Sequence, residues 1–550
     1  MCGLYDGVSR EIYSSMKSFL DAVLTDSYRS YTFYAHNAER FDFKFLIQEL
    51  LTMEFEKGKI EAVNGKVLNI RFIQAGERIR EICIKDNNRN YWKFTDSFWL
   101  LPTSLRKAAE SFNVPTQKGV IDYNKISIDC PLSRKYCLDD CQALYEVLRA
   151  YFEQKIFIGL KPKGTIASNA MNIFRSKMTE PLKGIDRQQE NFIRAAYFGG
   201  RVEIFKMQGK ELNHYDFNSL YPDTMVKNDF PVGLPCWVDT WVTGLPGFYE
   251  ASVDIDPGVY IPPLPIVREN KLIFPAGRFA GNFSSCELEA ALQLGAKIKI
   301  KKGLVFHISK RIFDNYVAEL YAMKSKANKD GADYMIAKLY LNGLYGKFGQ
   351  RREQTSIIRC DSYEAAEKGL TVYMPEFGLW LEKSESRGAY IMPNIAAWVT
   401  AKARLKLYSV LNKNSYYCDT DSVFTPDVLP TNAHELGALK FEKFVRQAYF
   451  LLPKLYRLEF KDGGAEVKAK GFGRDFIKDM DSDTFKKAMA GDYSGFNVKV
   501  KRLLGIKESL RRFGRLPVSM ECKKSIKSTY NKREILKNND TRPWVLNEHT

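Results

Sequence analysis

The chain has 550 residues, more than a single hydrophobic core serves, so several domains are expected. Lys and Arg total 83 against 65 Asp and Glu, a formal charge of +18, which suits a polyanionic partner such as nucleic acid. No apolar run approaches the ~18 residues of a membrane span, and the start lacks the basic head and apolar core of a signal peptide. The ten cysteines include no CxxC pair and the five histidines no HxH or HExxH pattern. This disfavours a disulfide framework or a histidine zinc site and points to free thiols in a reducing intracellular compartment.

In chain order, residues 1–165 alternate short apolar runs with helical patterns, with a strand at Tyr31–His36 and helices at Phe43–Leu51 and Leu138–Phe152, an α/β arrangement. Residues 166–190 are polar and mixed, and Gly199-Gly200 punctuates the start of a new segment. Residues 201–305 are strand-rich with proline-dense loops at Pro246–Pro265. Residues 311–348 predict two helices joined near Asn328–Gly331, residues 350–390 a loop-rich insertion, and residues 394–411 a helix. The last eighty residues are basic, with Lys499, Lys501, Arg502, Lys507, Arg511, Arg512 and Arg515 suited to duplex phosphates, and the tail from Asn531 is polar and expected to be loose.

Three segments carry chemistry. In Tyr417-Cys418-Asp419-Thr420-Asp421-Ser422, a strand would project Asp419 and Asp421 side by side from one face, although Asp-Thr-Asp-Ser is also turn chemistry. Paired carboxylates repel unless a cation lies between them, and hard oxygen ligands favour Mg²⁺ together with substrate phosphates. Asp216 ends a short apolar strand before Phe217-Asn218-Ser219-Leu220-Tyr221-Pro222. Amides near Ser219 and Leu220 are placed to face a triphosphate, and Tyr221 to lie beneath a sugar, excluding a 2′-hydroxyl. On a helix, Lys338, Asn342 and Tyr345 share one face, a cation, an amide and a ring suited to phosphate, sugar and base.

Together, Asp216-x-x-Ser-Leu-Tyr-Pro, Lys338-x-x-x-Asn-x-x-Tyr-Gly and Tyr417-x-Asp-Thr-Asp-Ser resemble motifs A, B and C of family B DNA polymerases. Tyr197-Phe198-Gly199-Gly200 resembles the YxGG element of the protein-primed subgroup found in linear viral, phage and plasmid genomes. The resemblance implies a multidomain α/β and α+β chain. It would carry an RNase H-like 3′–5′ exonuclease domain (1–165), a linker with the YxGG element (166–200) and a right-hand polymerase domain. The latter comprises palm (201–227 and 391–472), fingers (306–349), thumb and tail (473–550), and two insertions, 228–305 and 350–390, like the terminal-protein regions of the subgroup.

The same resemblance implies that Asp216, Asp419 and Asp421 are catalytic, with Asp216, Asp421 and the Phe217 carbonyl holding two Mg²⁺, for which Mn²⁺ can substitute. Ser219, Leu220, Tyr221, Lys338, Asn342 and Tyr345 would bind the nucleotide, with Lys324 or Lys326 as a second triphosphate lysine. Tyr197, Gly199, Gly200, Arg201, Thr420 and Ser422 would contact DNA. So would Lys470 and Phe472, at a Lys-x-Tyr element whose tyrosine is here phenylalanine.

Tyr34-Ala35-His36-Asn37-Ala38-Glu39-Arg40-Phe41-Asp42 and Tyr136-Cys137-Leu138-Asp139-Asp140 resemble the second and third exonuclease motifs. Asp42 and Asp140 would hold metal, Tyr136 orient water, and Lys118 assist. Tyr34, His36, Asn37, Phe41 and Ser97 would grip single-stranded DNA. No Asp-x-Glu precedes Asn37, so the nuclease is expected to be incomplete and proofreading weak or absent, with an unpaired sheet edge. The implied activity is DNA-directed DNA polymerisation by a monomer acting on template-primer and dNTPs, with a terminal protein as primer and no membrane. A reverse transcriptase or RNA polymerase fits the Ser-Leu-Tyr-Pro segment less well. The alternative from another class is a catalytically inactive nucleic-acid-binding remnant of a mobile element.

Overall fold

The computed structural model describes residues 1–547 except 53–54, 57–58, 63–65, 77, 87, 89, 123–125, 386–387, 389, 473–475, 478–479, 503, 517–518 and 527–529. Its centre is a seven-stranded sheet in the order Ala465–Ala469, Leu455–Glu459, Leu439–Leu452, Gln208–Phe217, Ser422–Thr425, Tyr417–Asp419 and Val202–Ile204. Every pairing is antiparallel. Aromatic and β-branched residues fill one face, where Tyr417, Phe424, Phe450 and Tyr456 pack as a ring cluster with centroids 5.0–5.9 Å apart. This sheet is built from the two segments expected to form the palm, and it carries the segments around Asp216 and Asp421.

The two helices expected over 311–348 are Asp314–Lys326 and Ala332–Phe348, and the next is Pro393–Tyr408. The stretch 166–190, read as mixed and polar, instead holds the helix Ile166–Ser176 and the start of Arg187–Arg194. Ile166–Ser176 packs on Ala332–Phe348, and Asn169 donates to Tyr151, whose hydroxyl lies 2.6 Å from that of Tyr340. That buried contact joins the long N-terminal helix Pro131–Phe152 to the helix of motif B.

Residues 228–305 form their own five-stranded sheet, Cys236–Val238, Lys297–Val305, Gly247–Ile255, Ala276–Ser284 and Val545–Asn547. The last strand comes from the tail, which is therefore docked rather than loose. Arg533 is fully buried, donating to Tyr260 O and to Thr541, while Val545–Asn547 adds in parallel to Ala276–Ser284. Composition misled here because the tail's polar groups are satisfied by burial against partners far away in sequence.

In the N-terminal domain, Thr32–Ala35 runs parallel to Tyr91–Asp96, which continues into Arg78–Asp86 and Lys66–Ala75. The insertion at 350–390 is not loop-rich. Glu353–Arg359 and Leu379–Glu385 form an antiparallel pair, and Ser356–Arg359 pairs with Ile70–Ile73 of the N-terminal sheet. The helix Ile506–Phe513 leans on the same core, with Leu510 and Leu516 buried in it and Lys44 Nζ donating to Leu504 O at 2.8 Å. Cys2–Tyr5 and Arg10–Tyr13 make a separate two-stranded ribbon, and among the described residues Thr32–Ala35 ends its sheet as an unpaired edge. The ten cysteines are free thiols, and among the described residues no helix is long and apolar enough to cross a membrane.

Candidate active site

Asp216 lies one residue from the end of its strand, opposite Ser422 on one side and Lys440 on the other. Asp419 closes the strand Tyr417–Asp419, and Thr420 and Asp421 form the turn into Ser422–Thr425. The extended run expected through Asp419 and Asp421 is therefore replaced by the turn alternative. Thr420 has φ +62°, the left-handed conformation a tight hairpin needs, and the Asp421 N–H donates to Asp419 O at 2.6 Å. The turn sends the two carboxylates different ways. Asp419 accepts from Tyr417 at 3.2 Å and pairs with Lys454 Nζ at 3.1 Å. Asp421 falls beside Asp216, and its carbonyl accepts the Phe217 N–H at 2.7 Å.

The electrostatics mark the site. Burial, then the charges of Asp421 and Glu442, push the Asp216 carboxyl up to about 7. Burial and Asp419 raise Asp421 as well. Two half-buried carboxylates that disfavour each other's ionisation fit a divalent cation between them, and two protein carboxylates plus substrate phosphates is the set Mg²⁺ prefers. Among the described residues no cluster of three or more His, Cys, Asp or Glu could enclose a metal ion, in keeping with Asp419 being turned onto Lys454.

Beside the carboxylates the residues expected to bind the nucleotide converge. Ser219, at φ +58°, precedes the helix Leu220–Lys227, and its hydroxyl accepts from Lys324 Nζ at 2.7 Å. Burial and the neighbouring charge of Lys338 lower the Lys324 pKa, so the two cations share one space. Lys326 is exposed, whereas Lys324 is the lysine that reaches Ser219. Lys338 and Asn342 lie exposed and Tyr345 half-buried along one face of Ala332–Phe348, while Ile336, Tyr340, Leu341 and Leu344 bury the other. Tyr221 stacks on Tyr345 with centroids 4.4 Å apart. Leu220 is buried, and Phe217 is buried with its ring 5.3 Å from Lys406 Nζ.

The Tyr197–Arg201 loop is stitched to motif C. The Thr420 N–H donates to Arg201 O at 2.7 Å, and Val202 pairs with Asp419. Two expected DNA contacts are corrected. Arg201 is 1 % exposed, bound to Glu203 and Pro262 O and stacked 4.0 Å from Phe274, because a guanidinium on an inward strand end finds a buried carboxylate. Ser422, 8 % exposed, donates to Asp419 O rather than facing a groove. Lys470 is exposed, its N–H donating to Lys454 O. Phe472 is partly buried, stacked on Phe476 with Lys524 over its ring. In the segment expected to form the thumb, Lys499, Lys501, Arg502, Arg511, Arg512 and Arg515 are exposed, though Arg502 and Arg512 lean on Glu508; the side chain of Lys507 lies outside the described residues.

In the N-terminal domain a cavity of 1660 Å³ between the Cys2–Tyr5 ribbon and Thr32–Ala35 gathers Tyr34, His36, Asn37, Phe41, Asp42, Lys118, Tyr136 and Asp140. Burial raises Asp42 to about 6, with Asp96 adding to the shift. Lys118 is ion-paired to Asp140 and lies 5.2 Å from the Tyr136 ring. His36 bonds Ser97 Oγ at 2.9 Å and Thr103 O at 2.7 Å, and burial lowers its pKa. Ser97 is fully buried behind His36, a supporting position rather than a surface grip. Phe41 is 53 % exposed. Sequence reasoning missed Lys440, Glu442, Lys454 and Asp96. Lys440 and Glu442 show a signal, charges two apart on one strand face; Lys454 and Asp96 show none.

A palm sheet with carboxylates meeting at a hairpin turn, flanked by a helix bearing Lys338, Asn342 and Tyr345, defines a polymerase-type architecture. The family model described as DNA polymerase type B, organellar and viral, matches residues 26–132 and 129–373, and the chain belongs to that family. A divalent metal requirement is general to it. A protein named "Probable DNA polymerase" from Neurospora intermedia is 28 % identical over 525 residues, covering 80 % of this chain and 53 % of its own. The DNA-directed DNA polymerase of Enterobacteria phage PRD1 is 25 % identical over 80 % of this chain and 75 % of its own. The chain spans about half the length of the fungal relatives it matches. In fold it resembles phi29 DNA polymerase in complex with primer-template DNA, with a TM-score of 0.74 at 21 % identity over 95 % of both chains.

Proposed function

We propose that the chain is a DNA-directed DNA polymerase that replicates a linear genome. The observation that carries this reading is the meeting of Asp216 and Asp421 across the Gln208–Phe217 and Ser422–Thr425 pairing, with Lys324 and Lys338 beside them. Asp216, Asp421 and the Phe217 carbonyl would hold Mg²⁺. When bound, the metal would lower the pKa of a primer 3′-hydroxyl and offset charge on the leaving pyrophosphate. Lys324, fixed by Ser219, and Lys338 bind the triphosphate and neutralise its developing charge. Tyr221, locked by its stack on Tyr345, presents a rigid wall to the sugar and selects against a 2′-hydroxyl. Asp419, neutralised by Lys454, supports the turn from behind.

Further parts of the reading rest on the resemblance to protein-primed enzymes. A terminal protein supplies the first hydroxyl and docks on the 228–305 insertion, and the polymerase acts as a monomer on template-primer and dNTPs. The N-terminal domain binds single-stranded 3′ ends in the cavity at Asp42 and Asp140, with weak or no hydrolysis there.

The test is dNTP incorporation on a primed template with Mg²⁺, beside Asp421→Ala. Extension that disappears in the variant supports the polymerase. Soluble wild-type protein that binds DNA without extending it would overturn the reading in favour of an inactive binding protein.

A further inference from the structure

The helix Asp314–Lys326 is tied to the turn after Asp216 by two residues of one face, Tyr321 and Lys324, three positions apart. Lys324 Nζ donates to Ser219, and Tyr321 meets the preceding residue. Asn218 Nδ2 donates to the Tyr321 hydroxyl at 3.1 Å, and that hydroxyl donates to His434 O at 3.2 Å. Asn218 is itself held by the loop 432–438, which follows motif C. Its N–H donates to Ala438 O at 2.9 Å, its carbonyl accepts the Gly437 N–H at 2.8 Å, and Nδ2 also lies 3.0 Å from Glu435 O. Lys227 Nζ adds a bond to Leu436 O at 3.3 Å. The loop is thereby fixed to motif A, and the Tyr321 hydroxyl carries that fixation to the helix. Lys324 Nζ lies 5.7 Å from the centre of the Tyr321 ring and 5.9 Å from that of Tyr334, within cation–π reach of both.

We propose that Tyr321 is a positioning residue for the triphosphate: bridging Asn218 and the 432–438 loop, it fixes the last turn of its helix and with it the place of Lys324. The inference rests on the polymerase reading in taking Lys324 as a triphosphate ligand. The need for such a residue follows from the lysine itself. Its stem is long and flexible, and it stands in the last turn of its helix, where the final carbonyls lack intrahelical partners and the backbone frays. An ammonium there meets an anion at a defined point only when the turn that carries it is held from outside. Ser219 is a poor sole anchor, because a triphosphate draws on the same ammonium that Ser219 holds. The Tyr321 hydroxyl takes no part in that exchange and keeps the turn in place while the ammonium is shared.

The experiment measures binding of a fluorescent dNTP, complementary to the template, to protein carrying a primer-template with a dideoxy-terminated 3′ end, in Mg²⁺, so that no bond is made. Wild type, Tyr321→Phe, Lys324→Met and the double variant are compared, with DNA affinity and thermal melts alongside. Tyr321→Phe keeps the ring and removes only the hydroxyl. Loss of its two hydrogen bonds predicts dNTP bound about fivefold more weakly, with DNA affinity changed less than about twofold and melting by no more than about two degrees. In the Lys324→Met background the same substitution adds nothing, because the side chain it positions is gone. On a primer with a free 3′-hydroxyl, KM for dNTP rises by the same factor while KM for DNA stays. Asn218→Ala breaks the bond from its other end and reproduces the dNTP-specific loss, so the result does not hang on the folding of one variant. Unchanged dNTP affinity in Tyr321→Phe overturns the proposal, as does an equal loss in the Lys324→Met background, which would mark a general structural role. A Lys324-dependent loss in protein that binds dNTP but never extends a primer sustains this inference while removing the polymerase reading.

Discussion

A Cβ built on Gly200 would lie 2.7 Å from Thr420 Cγ2 and 2.8 Å from its Oγ1. Thr420 is the left-handed residue between Asp419 and Asp421, its N–H bound to Arg201 O, so it has little room to withdraw. Gly200→Ala is expected to push the turn and lower incorporation about tenfold to a hundredfold, the loss that misplacement near an ångström brings. Gly199→Ala, with open space around it, is expected to melt like wild type and to weaken template binding only. Steady-state incorporation and melting curves on the two variants separate the cases.

Asp216 supplies a pH prediction. Its carboxyl is raised to about 7 by burial and by facing carboxylates, well above its ordinary 3.8. A raised acid is protonated at low pH at no cost, and the cost of ionising it in the fold appears as pH climbs from about 4 through 7. In metal-free protein, Asp216→Asn should therefore melt higher than wild type at pH 8, by about one to two degrees, and the two should coincide at pH 4. At limiting Mg²⁺, wild-type incorporation should fall as pH drops through 7, and added Mg²⁺ should move that midpoint lower, because the metal binds the ionised form. An acid limb that does not move with Mg²⁺ would show that another group sets it.

Lys454 holds Asp419 by its side chain, Tyr417 by its N–H at 3.0 Å and Lys470 by its carbonyl at 3.1 Å. Lys454→Met should release Asp419 toward Asp421 and cost about tenfold in incorporation, with Lys454→Arg recovering most of it. The comparison of interest is the Mg²⁺ concentration for half-maximal rate, which should change in the methionine variant and not in the arginine one.

Glu203 is wholly buried between Arg201 and Arg533. Glu203→Gln leaves two buried guanidinium groups without a counter-charge, and breaking such a pairing costs about 3–5 kcal/mol. Denaturant unfolding should show a loss of that order, and limited proteolysis should release the docked tail first.

The motifs of the family were legible because their residues stand at short separations: Lys338, Asn342 and Tyr345 on one helix stripe, Asp419 and Asp421 two residues apart. What the sequence hid depends on partners far along the chain. Nothing local marks Arg404 as the anchor of Phe198 and Gly199, some 205 residues away. The antiparallel pair Glu353–Arg359 and Leu379–Glu385 looked like a loop because its strands complete a sheet begun near residue 70. Arg201 was misjudged since adjacency to a glycine loop suggested a surface charge, whereas the alternation of the adjoining strand turns it inward to Glu203. Asp421 was placed on a strand by its neighbours' propensity, and the left-handed Thr420 is what a propensity count cannot see.

The ladder between Ser356–Arg359 and Ile70–Ile73 also bears on how the molecule can be cut. A nuclease-like domain joined by a tether could be removed as a cassette. Here its strand Lys66–Ala75 pairs with Ser356–Arg359 of the 350–390 insertion, and its apolar face receives Leu510 and Leu516. Excising residues 1–165 would bare a strand edge and a greasy helix together, leaving a surface prone to self-association rather than a trimmed enzyme. The N-terminal domain is a structural abutment for the rest of the chain, whether or not it cuts DNA.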